Sequence, residues 1–139
     1  MRGKKKLWTV VAAAALLAGI AIAVFAAGRK PFRALDADEV AVARVRLIPP
    51  DVTLELDRDE ILELVELLHE VRVTRRDDSY SEYDGQGVIF TLTLRDGVAV
   101  EAIAYAPFFV IDGEGYRTAY TPCAALNAFG NRLLRETTE

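Results

Sequence analysis

The most polar stretch of the chain, RRDDSYSEYDGQG at residues 75–87, sets Asp77, Asp78, Glu82 and Asp84 close together. Clustered carboxylate oxygens suit a hard cation such as calcium. The spacing argues against one: counted from Asp78, the third position is Tyr80, and no bidentate glutamate closes the loop. A solvated connection between strands accounts for the composition, so no metal is expected. Tyr80 and Tyr83 offer a different chemistry, because tyrosines on an exposed loop give a partner large and fairly rigid contact area. The loop Tyr80–Gln86 is therefore the first candidate binding surface.

Aromatic residues gather again at Phe108, Phe109, Tyr116 and Tyr120. Consecutive residues of a strand point to opposite faces, so one of Phe108 and Phe109 belongs to the core and the other is expected to be exposed. An exposed aromatic beside an edge broken by Pro107 is a docking place for an extended peptide. The partner-binding set is thus Tyr80, Tyr83, Gln86, Phe108 and Phe109.

Catalytic groups are scarce. His69 is the single histidine, at the carboxyl end of a helix where a charged imidazole suits the dipole, and no nucleophile lies beside it in sequence. Glu101 sits between Val100 and Ala102 in a strand, and a general acid there needs a second carboxylate. Cys123 is the single cysteine, which rules out an intrachain disulfide and a CxxC motif. Its place near the amino end of the last helix can lower a thiol pKa, leaving a reactive thiol, an intermolecular bridge or a small buried hydrophobe as its roles. The GEG at 113–115 opens a strand, not a helix, and so fails as a phosphate loop. No catalytic, cofactor-binding or metal residue is assigned. A non-enzymatic binding module is the leading expectation. A carboxylate-dependent extracytoplasmic hydrolase is the alternative, and a small-ligand sensor with an enclosed cavity is a third.

The elements that must carry these residues follow from periodicity. Residues 40–56 read as a strand, a break at Pro49-Pro50 and a short extended piece at Val52–Leu56. Asp57 and Glu60 have capping-box spacing, and Ile61, Leu64, Val65 and Leu68 form a helical stripe, with Glu63, Glu66 and Glu70 on its solvated side. A strand at 71–76 follows. Residues 87–105 alternate strongly and turn at Asp96-Gly97, a type I′ dipeptide. A second hairpin spans 108–120, turning at Asp112–Gly115. Thr121 as cap and Pro122 then start a helix, with Leu126, Phe129, Leu133 and Leu134 apolar and Gly130 suited to a close contact. These predict an α+β fold: an antiparallel sheet with two amphipathic helices packed on one face, preceded by a transmembrane helix.

That leading helix fixes the compartment. Leu7 to Ala27 carries no charge, and at helical rise it spans about 31 Å, the hydrocarbon thickness of a bilayer. Arg2, Lys4, Lys5 and Lys6 precede it, favouring an inside amino terminus. The expected organisation is a cytoplasmic basic tail at 1–6, a signal anchor at 7–27, a tether at 28–39 and an extracytoplasmic domain at 40–139. Secretion after signal cleavage is the alternative. Of the 17 basic residues six lie within residues 1–30, leaving 11 against all 21 acidic residues in 31–139, a net charge of −10. That balance sets aside nucleic acid and anionic lipid as partners. What remains is the membrane as a single-pass support and a protein or envelope component as ligand.

The residues PP at 49–50, EILELVELL at 60–68, GQGVIFTLTL at 85–94 and IDGEGYR at 111–117 carry a family likeness. Through them the chain resembles small membrane-anchored extracytoplasmic proteins of Gram-positive bacteria, which have no assigned activity. The resemblance implies location and architecture, and it brings no catalytic residues.

Overall fold

The computed structural model describes residues 2–139, except the side chains of residues 2 and 21–27. The first element, α1 (Arg2–Ala27), is one uninterrupted helix. Every side chain from Gly3 to Ile20 is exposed, including Trp8, Leu16 and Leu17. Among the described residues no helix is long and apolar enough to cross a membrane. The expected span 7–27 runs through residues 21–27, whose side chains lie outside the described residues.

Seven strands follow: β1 (Val40–Ile48), β2 (Val52–Glu55), β3 (Val73–Arg76), β4 (Gly87–Leu94), β5 (Ala99–Tyr105), β6 (Phe108–Ile111) and β7 (Glu114–Thr118). They make one antiparallel sheet in the order β2-β1-β4-β5-β6-β7-β3. Because β2 and β3 occupy opposite edges, the helix between them, α2 (Arg58–His69), must cross the sheet. The last helix, α3 (Tyr120–Thr138), returns over the same face and packs on α2. The inward residues of the strands, among them Val45, Leu47, Val88, Phe90, Leu92, Ala102 and Ala104, join Ile61, Leu64, Leu68, Leu126, Phe129 and Leu133 in one buried core. The α+β arrangement with both helices on one face is as expected.

Local signals act where they were read. Asp57 accepts from the Glu60 amide at 2.9 Å while the Glu60 carboxylate accepts from the Asp57 amide at 2.7 Å, closing a capping box. Gly130 lets α3 settle on the sheet, since a Cβ there would lie 2.7 Å from Val88 Cγ1 and 3.5 Å from Val45 Cγ2. Gly130→Ala gains about 1 kcal/mol of helix propensity but overpacks at a cost of about 1–3 kcal/mol. The expected net result is a lower urea midpoint with an unchanged m-value. A raised midpoint would mean that Val88 yields freely.

Four expectations are corrected. The Asp96-Gly97 turn is not type I′: among the described residues outside glycine, only Asp51 and Asp112 have positive φ. Leu94 donates to Val98 O at 2.8 Å and Gly97 to Leu94 O at 2.9 Å, giving a three-residue loop with left-handed Gly97 at its end. The Asp96 carboxylate holds it by accepting from the Val98 amide. The primed geometry belongs instead to Asp112-Gly113, with φ of 48° and 84°, because the pair Ile111–Glu114 leaves two residues to turn. Next, α3 begins at Tyr120 with Ala119 as its cap, so Thr121 does not cap it and Pro122 sits inside the first turn, where a missing amide costs little. Glu63 is not merely solvated, since Arg132 of α3 donates to both of its oxygens, at 3.0 and 2.7 Å, and clamps the helices together.

The fourth correction is the largest. Residues 28–39 are not a free tether. Arg29 and Val73 exchange both backbone hydrogen bonds at 2.9 Å, which fixes the end of α1 to the β3 edge. Phe32 is buried edge-on against Phe109 at 5.9 Å, and Ala37 is buried as the first residue of a short 3-10 turn, Ala37–Glu39. These side chains close one end of the core as single plugs, so they show no period in sequence. The folded unit therefore starts near Gly28.

Candidate functional site

The outward face of the sheet is not uniformly solvated. Phe108 and Val110 are completely buried, yet neither belongs to the core beneath the helices, which takes Phe109 and Ile111 from the same strand. They point outward, and residues 77–86 cover them as a strap. The strap leaves β3 by pairing the Asp77 amide with Gly115 O at 2.9 Å, then makes a 3-10 turn at Ser79–Glu82. Tyr83 lies on Phe108 with ring centroids 5.2 Å apart, and the Arg117 guanidinium lies over the same ring at 4.7 Å. Gly115 stands opposite Val110, and Tyr80 occupies the space that a side chain there would fill. Gln86 ends the strap by donating to Pro49 O and accepting from Asn131 of α3, both at 2.9 Å.

Charge fixes the start of the strap. Asp77 receives the Ser79 hydroxyl at 2.6 Å, the Ser79 amide at 3.0 Å and Arg117 Nε at 2.8 Å. Those bonds, Ser79 first and Arg117 after, hold its carboxyl at about 2. Asp78 is also lowered, by the Gly115 amide and then by Arg76. A carboxyl depressed by folding contributes stability above its unfolded value, and the contribution is lost as pH falls through the folded one. The strap should therefore loosen between about pH 4 and pH 2. The check is an acid titration followed by the amide resonances of Ser79 and Gly115; resonances unmoved to the low end of that window would refute it.

The sequence-derived candidates now have places. Asp77 and Asp78 serve the strap's own hydrogen bonds, and among the described residues no three His, Cys, Asp or Glu side chains are set to hold a metal ion. Tyr80 packs inward and its hydroxyl reaches Gly113 O at 3.3 Å. Tyr83 is 52% exposed. Phe108 and Phe109 are both fully buried, so the expectation of one exposed phenylalanine at the Pro107 edge is corrected: the strap supplies a second cover that alternation within one strand does not reveal. Glu101 is exposed opposite Thr91, on the uncovered part of the outer face. His69 bonds Leu35 O through Nε2 at 2.6 Å, a structural use. Burial pushes the Cys123 thiol up to about 11, which removes the reactive-thiol reading in the folded state.

One grouping escaped the sequence reading. At the foot of α1 a cleft of about 700 Å³ is lined by Arg29, Lys30, Arg33, Arg72, His69 and Glu70. Its cations come from two segments far apart in sequence, joined by the Arg29–Val73 pair. A charge run read along the chain shows Arg29, Lys30 and Arg33 but not Arg72, which joins them only in the fold.

The fold defines an α+β domain with helices on one sheet face, a strap on the other and a long exposed helix leading in. No protein family matches the chain, no curated protein is significantly similar to it, and no solved structure matches it.

Proposed function

We propose that this chain is a single-pass membrane protein with residues 7–27 in the bilayer, and that its outward domain is a non-enzymatic module binding a protein or envelope component. Support for the anchor is the uncharged run itself together with the exposed apolar side chains of α1 up to Ile20, which lipid would cover. The observation that carries the binding reading is Tyr83, half exposed on a base of Phe108 and Arg117. A rigid aromatic with an amphipathic tip is the residue type on which binding energy concentrates.

The test is crosslinking and pulldown of the full chain from its own membrane, comparing the native sequence with Tyr83→Ser. A large exposed hot-spot aromatic is worth about 2 kcal/mol or more, or roughly thirtyfold in affinity. Loss of one specific captured species with unchanged thermal unfolding is the expected result. Equal capture by both forms would remove this surface from consideration.

A further inference from the structure

We propose that the cleft at the foot of α1 is a phosphate site that takes anionic lipid headgroups, docking the domain on the membrane by one basic face; this rests on the anchored reading above. Arg29, Lys30, Arg33 and Arg72 surround the cleft, and Glu70 is the single carboxylate in its lining. Glu70 lies 3.6 Å from Lys30, offsetting one charge. Arg33 and Arg72 are exposed, and among the described residues neither is ion-paired. Guanidinium forks match phosphate oxygens two at a time.

Position gives the cleft its occupant. Arg29 is the second residue beyond Ala27, and its pairing with Val73 sets Arg72 beside it. With residues 7–27 in lipid, these side chains emerge at headgroup level. The net charge of the domain argued against anionic lipid, but a sum carries no geometry. Exposed charges more than about 8 Å away are largely screened at physiological salt, so the acidic remainder of the domain does not cancel the cleft. Each cation near an anionic surface strengthens docking about fivefold.

The shared chemistry is a phosphate anion, from a lipid headgroup or free in solution. The full chain is placed in nanodiscs of phosphatidylcholine, in nanodiscs that also contain phosphatidylglycerol, and in the neutral discs with inorganic phosphate added. Hydrogen exchange of residues 28–36 and 70–76 is read in each, with α2 and α3 as the folding control. Protection is expected with phosphatidylglycerol, falling about twenty-fivefold in the Arg33→Gln/Arg72→Gln double variant and fading with salt. Protection by phosphatidylglycerol alone assigns the headgroup. Equal protection by free phosphate in neutral discs keeps the anion site but overturns the lipid assignment. No protection in either arm overturns the site. Release of the chain from all discs defeats the anchored reading and the lipid assignment with it, and the phosphate arm, run on the released chain, decides the anion site separately.

Discussion

Gly115→Val is expected to peel the strap from the sheet while the helices stay packed on the other face. A Cβ at this position would lie 2.6 Å from Tyr80 Cδ1 and collide with the Asp77 carbonyl. The ring can rotate away, but the carbonyl cannot. It belongs to a segment pinned by the Asp77 amide on Gly115 O and by the Gly115 amide on Asp78 Oδ1, both at 2.9 Å. Valine adds two methyl groups in the same confined space, so the upper end of the usual overpacking cost applies, about 3 kcal/mol. The strap is a surface segment and can leave without dissolving the core. Limited proteolysis should therefore cut between Asp78 and Gln86 far faster in the variant, with far-ultraviolet circular dichroism nearly unchanged. An unchanged cleavage rate would show that β7 shifts to accept the side chain, and that Gly115 does not decide where the strap lies.

The same residue marks the limit of what the sequence discloses. Signals confined to a dozen residues translated directly: the Asp57–Glu60 capping box, the stripe Ile61, Leu64, Val65 and Leu68, the break at Pro49-Pro50, and the close packing at Gly130. The strap depends on partners such as Asp77 with Arg117, 40 residues apart, and no local period encodes that meeting. For that reason the polar stretch read as a solvated loop, although Tyr80 packs inward and its neighbours hold it there. Tyr83 is legible by type as a loop aromatic, but the Phe108 ring that supports it is not. Phe32 failed differently. A single plug beside Pro31 resembles a tether until the sheet end that it closes is known. The basic cleft was hidden by averaging, because a net charge treats Arg33 and Arg72 as two cations among acids and loses their proximity at the foot of α1.

The neighbouring phenylalanines separate the two packed layers. Phe109→Ala opens the layer beneath the helices, where Phe32 meets the ring at 5.9 Å and the surroundings are fixed by α2, α3 and the sheet. Large aromatic deletions in such sites cost about 3–5 kcal/mol, and a site that cannot collapse lies at the upper end. Phe108→Ala empties the layer under the strap, where Tyr83 and Arg117 are free to settle into the space. Its cost belongs at the lower end, about 3 kcal/mol. Global unfolding in urea should thus rank Phe109→Ala as the less stable, while proteolysis of residues 78–86 should rank Phe108→Ala as the more open. The two orders are opposite, which a uniform loss of stability does not produce. The functional consequence follows the second order: at a temperature where both variants remain folded, Phe108→Ala should lose the capture proposed for Tyr83, and Phe109→Ala should keep it. If both variants lose capture equally, the orientation of Tyr83 depends on the whole fold and not on the ring directly beneath it.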